Sequence, residues 1–157
     1  SEQTNDLLNN LHAEQVSASN AALAGFVGKT GSFETGDIQV ADAKEGIPEL
    51  GFELETGVKK GTAVILDQDG NEVRRVDLGP LGGGEHSFQW DGQDRLGQAV
   101  EPGNYRVEIR LENEDGTTHT AATRVSGLIE AIDFSKGFPM MRLGGALFAP
   151  GDVSSIS

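Results

Sequence analysis

The strongest constraint on the fold is the strict alternation of apolar and charged residues over positions 105–112. In order, this segment reads Tyr-Arg-Val-Glu-Ile-Arg-Leu-Glu. A period of two places the apolar side chains on one face of a β-strand and the charged side chains on the other. The segment therefore predicts an antiparallel strand with one face on a core and the other in water. Asp115-Gly116 predicts a turn that leads into a second strand over 117–125, which completes a hairpin.

Short apolar runs separated by turn residues continue this pattern toward the N-terminus. The predicted strands cover 26–33, 37–40, 49–54, 62–66 and 72–78. A tight Asp-Gly turn is predicted at Asp67–Asn71, and a slip in the alternation predicts a β-bulge at Arg74–Arg75. His86, Phe88 and Trp90 are expected on one face of the next strand.

The same pattern of short apolar runs returns in the C-terminal tail, where strands are predicted over 128–134, 139–143 and 146–148. Gly46-Ile47-Pro48 separates the first strands from the central block. Six or seven short strands in that block, each ended by a turn, are typical of an antiparallel sandwich of the immunoglobulin or fibronectin type. The predicted fold class is therefore mainly β.

One helix is predicted, over residues 4–24, because the segment has no Pro or Gly before Gly25. Its apolar stripe is short and consists of Leu7, Leu8 and Leu11. Such a stripe is too thin to hold a core alone. Two interpretations stay open: a frayed tail, or a helix whose three leucines contact another subunit.

Charge and composition exclude several classes of function. The chain of 157 residues has a net charge of −13, and residues 46–121 alone carry 7 basic and 15 acidic side chains. Phosphate backbones and anionic lipids repel such a surface, so neither nucleic acid nor membrane is an expected partner. The absence of Cys excludes disulfides and thiolate metal sites. The first residue is Ser1, not Met, which predicts that further sequence precedes it.

Three local patterns resemble chemical sites, and each has a simpler explanation. Gly28-Lys29-Thr30 lacks the upstream Gly of a phosphate-binding loop, and a predicted helix precedes it where that loop needs a strand. Asp67, Asp69 and Asn71, followed by Asp91 and Asp94, have the spacing of calcium ligands, but capped turns account for them without a metal. His12, His86 and His119 fall in separate elements. We therefore predict no catalytic residues, no metal, no cofactor and no enzymatic activity.

A longer resemblance emerges from motifs that occur in collinear order. The most distinctive is Trp-Asp-Gly-Gln-Asp-Arg-Leu-Gly at 90–97, followed by Val-Glu-Pro-Gly-Asn-Tyr-Arg-Val at 100–107. Further matching segments lie at 23–30, 67–79, 84–90, 125–134 and 141–144. Together they resemble the bacterial flagellar hook-capping family (FlgD, also called basal-body rod modification protein). The resemblance covers residues 23–157.

The resemblance implies a fibronectin type III/Ig-like β-sandwich inserted into a small Tudor-like β-barrel, with a short N-terminal helix. The implied divisions are a helical segment at 1–25, a discontinuous barrel at 26–45 plus 127–157, and the sandwich at 46–126. Neither flank alone has enough strands to bury a core, so pairing them is physically sensible.

For function, the resemblance implies a non-catalytic scaffold at the distal tip of the growing flagellar hook. Its expected partners are the flagellar hook protein, whose subunits it helps to polymerise, and further copies of itself in a ring-like cap. The alternative is an Ig-like binding module of a secreted bacterial surface protein, in which the two flanks would not pair. A carbohydrate-binding sandwich fits less well, because Trp90 and Tyr105 have core-facing spacing.

Overall fold

The computed structural model describes residues 6–7 and 20–157. Residues 20–24 are helical, and the helix ends as predicted at Gly25, whose amide donates to the Ala22 carbonyl at 3.1 Å. Among the described residues, no helix is long and apolar enough to cross a membrane. The rest of the described chain is built from strands and short connections, which confirms the mainly β fold class.

Thirteen strands are formed within the described residues. In chain order they are β1 (Thr30–Phe33), β2 (Asp37–Val40), β3 (Glu49–Leu54), β4 (Val58–Leu66), β5 (Glu72–Leu81), β6 (Gly84–Phe88), β7 (Gly103–Glu112), β8 (Thr118–Thr120), β9 (Thr123–Leu128), β10 (Ala131–Asp133), β11 (Met140–Leu143), β12 (Ala146–Phe148) and β13 (Val153–Ile156). Single 3₁₀ turns lie at Ala43–Glu45 and Pro150–Asp152.

The strands form two antiparallel sheets. One has the order β13-β1-β9-β3-β6, and the other β10-β11-β12-β2-β7-β4-β5, with β8 also paired to β7. Flanking strands pair with each other, as β1 does with β13 and β2 does with β12. They also pair with central strands, since β1 lies beside β9 and β2 lies beside β7. Both sheets therefore contain strands from the centre and from the two ends of the chain.

The long strand β7 organises the second sheet. Its first residues, 103–106, pair with β2, and its last residues, 110–112, pair with β8 along the same edge. Its other edge pairs with β4 over residues 106–112. As the alternation predicts, Val107, Ile109 and Leu111 are buried.

Three local predictions are corrected by the structure. The strand predicted over 26–33 begins only at Thr30, because a turn continues from the helix and the Lys29 amide donates to the Phe26 carbonyl. The bulge lies one residue earlier than predicted: Arg74 faces Ile65 while Glu72 faces Leu66, so Val73 is the extra residue.

The third correction concerns residues 117–134. The single strand predicted over 117–125 is two strands, because the chain bends at 121–122 and β9 joins the opposite sheet. Strands that change sheets in this way form the corners of sandwiches. The strand predicted over 128–134 likewise divides between the end of β9 and the short β10.

Buried side chains from both sheets form one apolar cluster. It includes Phe33, Leu50 and Val125 from the first sheet and Ile65 and Ile109 from the second. The inner faces of the two sheets therefore pack against each other. The stacked rings of Phe33 and Phe148, with centroids 4.6 Å apart, extend this core among the flanking strands.

Candidate interaction surfaces

The acidic turns with calcium-like spacing close on their own backbone. The Asp67 carboxylate accepts hydrogen bonds from the amides of Asp69 at 3.0 Å and Asn71 at 2.9 Å. Asp94 accepts in the same way from two amides of the turn at 96–98. Over residues 6–7 and 20–157, no three His, Asp or Glu side chains are grouped so that they could hold a metal ion. These carboxylates shape turns.

The two described histidines have structural surroundings. The ring of His86 stacks on Phe52 with centroids 5.4 Å apart, and its Nε2 lies 2.7 Å from the Gly82 carbonyl oxygen. His119 lies at hydrogen-bond distance from Asn113. Activation of a nucleophile requires a base held against a hydroxyl or thiol, and these contacts do not provide one. His12 lies outside the described residues.

The Gly28-Lys29-Thr30 segment is a turn that enters β1. Gly28 adopts φ +91°, and its amide donates to the Ile129 carbonyl at 2.8 Å. A phosphate-binding loop instead leads into a helix whose first amides face the anion. The segment therefore joins β1 to the chain after β9.

Trp90 and Tyr105, the centre of the most distinctive motif, build a corner of the sandwich. Their ring centroids are 5.3 Å apart, and the Trp90 indole donates to the Gln93 carbonyl at 3.0 Å. The Tyr105 hydroxyl donates to the Glu101 carbonyl at 2.7 Å, four residues upstream. This is the arrangement of a tyrosine corner in Ig-like domains. Burial raises the pKa of the Tyr105 phenol, and the nearby carboxylates of Asp67 and Glu101 add to the effect.

An open groove of about 990 Å³ lies between β2, β12 and the turn at 67–70. We call it the β2–β12 groove. Met140 and Leu147 line it, and both are buried although they lie outside the main apolar cluster. Its polar lining includes four carboxylates and one guanidinium, namely Glu34, Asp37, Asp67, Asp152 and Arg106. The groove therefore combines apolar side chains with a net negative rim.

One ion pair sits within this groove. Arg106 Nε lies 2.7 Å from Asp37 Oδ1 and joins β7 to β2. The hydrogen bond to Asp37 raises the pKa of Arg106. Both side chains are more than half exposed, and exposed pairs contribute about 0–1 kcal/mol. The pair can therefore open at little cost when another charged group approaches.

A second surface feature is the turn at residues 134–138, which joins β10 to β11 and is called the aromatic tip. Phe134 is 51% exposed and Phe138 is 57% exposed, with Lys136 exposed between them. The Gly137 amide donates to the Phe134 carbonyl at 3.0 Å, and Gly137 adopts φ +87°. The turn is therefore defined by its backbone and holds two phenylalanine rings toward solvent.

The Asp133 carboxylate fixes the start of the aromatic tip. It accepts hydrogen bonds from both the hydroxyl and the amide of Ser135, the latter at 2.8 Å. The hydroxyl bond, with a smaller contribution from the amide, lowers the pKa of Asp133. Bonds to the charged form stabilise that form, so this cap is complete at neutral pH.

Of the three leucines predicted as a subunit contact, the structure describes only Leu7, which is 60% exposed. Leu8 and Leu11 lie outside the described residues, so that contact stays a prediction. Sequence reasoning does not find the aromatic tip, because the strand predicted over 128–134 ends on Phe134. The available signal was Ser-Lys-Gly between two phenylalanines at 134–138, since such turn residues between aromatic residues place the rings on a loop.

Comparison with known proteins identifies relatives for much of the chain. A family model described as the FlgD Ig-like domain matches residues 35–115. The basal-body rod modification protein FlgD of Salmonella typhimurium is 34% identical over 95 residues, which are 60% of this chain and 40% of that protein. The Escherichia coli protein of the same name is 38% identical over 83 residues, or 53% and 36% of the two chains. The chain thus spans about 40% of the length of the first of these relatives.

Solved structures share the fold over a larger part of the chain. FlgD from Pseudomonas aeruginosa aligns with a TM-score of 0.60 and 26% identity, covering 84% of this chain and 98% of that one. FlgD from Xanthomonas campestris aligns with a TM-score of 0.63 and 20% identity, covering 87% and 98%. At that identity the second likeness concerns the fold alone. The family match extends over more than half of the sequence, and the chain therefore belongs to the FlgD family.

Proposed function

We propose that this chain acts in assembly of the bacterial flagellar hook, as a non-catalytic scaffold that assists the polymerisation of hook-protein subunits. The observation that carries the proposal is the family match over residues 35–115. The Xanthomonas campestris relative has been linked to hook capping essential for flagellar assembly. The site of action would be the distal tip of the growing hook, with the hook protein and further copies of the chain in a ring as partners.

The surface chemistry supports binding over catalysis. The described part of the chain offers exposed apolar side chains and an open groove, whereas its histidines and acidic turns are held by structural hydrogen bonds. A cap must hold incoming subunits and then release them, which favours contacts of modest area. A rigid β framework with several exposed loops suits that task.

We also propose the two-part organisation, with a barrel at 26–45 plus 127–157 and a sandwich at 46–126. Pairing of β1 with β13 and of β2 with β12 supports it, because strands from both ends of the chain meet. A secreted module with unrelated neighbours on each side gives no reason for the two flanks to pair. The pairing thus favours the hook-assembly proposal over that alternative.

The test is deletion of residues 30–157 from the natural gene, followed by electron microscopy of the cell envelope. We expect hooks to be lost and then restored by the wild-type chain. Immunoblotting of secreted hook protein separates failed assembly, in which monomer is released, from failed export, in which it is not. Normal hooks in the deletion strain would contradict the proposal and favour the alternative of a secreted surface module.

A further inference from the structure

The aromatic tip and the β2–β12 groove have complementary chemistry. The tip presents two half-exposed phenylalanine rings on either side of Lys136. The groove is lined by the buried side chains of Met140 and Leu147 within a rim of four carboxylates and one guanidinium, a net charge of −3. A segment with the pattern aromatic–cation–aromatic can place rings on apolar side chains while its ammonium approaches the rim.

We propose that the aromatic tip of one copy docks into the β2–β12 groove of a second copy of this chain. The inference rests on the proposed function, which it deepens by assigning the contact between subunits. Tip and groove are different patches, so the contact can repeat head-to-tail from one copy to the next. Contacts of this kind generate rings when the rotation between successive copies closes.

The charge distribution indicates which part of a second copy can approach the groove. Two chains of net charge −13 repel each other across most of their surfaces. Residues 122–157, which include the tip, carry three basic and three acidic residues and are neutral as a segment. Lys136 therefore belongs to the segment of a second copy that the negative rim of the groove repels least.

The conformation of the tip lowers the entropic cost of docking. The Asp133–Ser135 hydrogen bonds and the Gly137–Phe134 backbone bond fix the turn before any partner arrives. Met140, two residues beyond Phe138, lines the groove of its own copy. Phe134 and Phe138 nevertheless remain more than half exposed. The rings are therefore available to another molecule.

The size of the contact indicates its strength. Two phenylalanine rings bury at most about 300–500 Å², well below the roughly 1,200–2,000 Å² of stable interfaces. The contact should therefore be weak and reversible, and detection requires trapping. Trapping the contact as a disulfide is straightforward, because the sequence has no Cys and every introduced thiol is therefore unique.

The experiment mixes two single-cysteine variants of the chain that differ in tag, under mild oxidation. Ser135→Cys places a thiol on the tip, where the backbone amide of residue 135 still donates to Asp133, and Gln68→Cys places one in the groove. Gln98→Cys is the matched control, an exposed glutamine in the turn at 94–98, outside the groove. We expect the 135–68 disulfide to form about tenfold more than the 135–98 disulfide, a ratio that corresponds to about 1.4 kcal/mol.

Variants of the tip complete the test. Phe134→Ser with Phe138→Ser should lower the 135–68 yield to the control level, whereas Leu96→Ser, which removes another exposed apolar side chain, should not. Lys136→Glu should lower the yield, and adding Asp152→Lys in the groove partner should restore it. All these positions are exposed, so folding is retained, and circular dichroism verifies it.

Equal yields at 68 and 98, or a yield unaffected by loss of both rings, would overturn the inference. Its failure is distinguishable from failure of the proposed function. If hooks require residues 30–157 but the 135–68 disulfide does not form, the proposed function in hook assembly stands and this interface is rejected. If the 135–68 disulfide forms but hooks do not require the chain, the interface stands and the proposed function is rejected.

Discussion

The Tyr105 hydroxyl ties the entry of β7 to the turn before it. It donates to the Glu101 carbonyl at 2.7 Å, while the ring lies against Trp90. Tyr105→Phe keeps the ring and removes this bond, so the free energy of unfolding should fall by about 1 kcal/mol. Urea denaturation followed by Trp90 fluorescence measures the change. Ser87→Ala removes an exposed hydroxyl from β6 and should change stability by less than about 0.5 kcal/mol; equal losses would contradict a specific role for the Tyr105 bond.

The Asp133 cap makes the aromatic tip sensitive to acid. Because hydrogen bonds from Ser135 lower the pKa of Asp133 in the folded chain, their stabilisation is present above the unfolded aspartate pKa near 3.9. It is lost as the pH falls through the folded value. Ser135→Ala should raise the pKa of Asp133 toward its ordinary value, as measured by NMR titration of the carboxyl carbon. The pKa of Asp115, which Thr117 lowers in a separate turn, is the internal control and should not move; an unchanged Asp133 titration would show that the hydroxyl bond is not formed.

Between β11 and β12 the chain turns so closely against another segment that only glycine fits. The Gly145 carbonyl accepts from the amides of Ala41 and Asp42, and a Cβ added at Gly145 would lie 1.8 Å from the Asp42 carbonyl oxygen. Gly145→Ala must therefore displace the turn from β2, and we expect a loss of about 2–4 kcal/mol in the free energy of unfolding. Thermal and urea denaturation measure it.

Gly82→Ala provides the matched control for that substitution. A Cβ at Gly82 meets no atom within 4 Å, and its φ lies outside the left-handed region. Replacing such a glycine restricts the unfolded chain and raises stability by about 0.4–1 kcal/mol. If Gly145→Ala were as well tolerated as Gly82→Ala, the close approach of the 144–145 turn to residues 42–46 would not hold in solution.

Sequence reasoning located elements whose signals are local. The bounds of β2, β3 and β12 agree with the predicted runs, because alternation and turn residues within each run define its ends. The change of sheet between β8 and β9 has no such signal, since it depends on which distant strands offer a free edge. The β2–β12 groove was not predictable for the same reason: its walls come from segments more than a hundred residues apart. The tip lay within reach of the sequence: the strand predicted over 128–134 ends on Phe134, while Phe138 falls between predicted strands.

The apolar core crosses the boundary between the proposed barrel and sandwich. Phe33 and Phe148 from the flanks belong to the same buried cluster as Ile65 and Ile109 from the centre. The backbone crosses it too, because β1 pairs with β9 and β2 pairs with β7. Two parts that share both sheets and one core are expected to gain and lose structure together.

Phe33→Ala tests this coupling across the molecule. The ring is fully buried against Phe148, and removal of a buried phenylalanine ring costs about 3–5 kcal/mol. If the core is one cooperative unit, hydrogen exchange should accelerate by a similar factor in the amides of β12, beside the substitution, and in those of β4, deep in the central block. Phe138→Ala removes an exposed ring from the same flank and should leave both sets of rates unchanged. Acceleration confined to the flanking strands would instead show that the proposed barrel opens while the proposed sandwich stays folded.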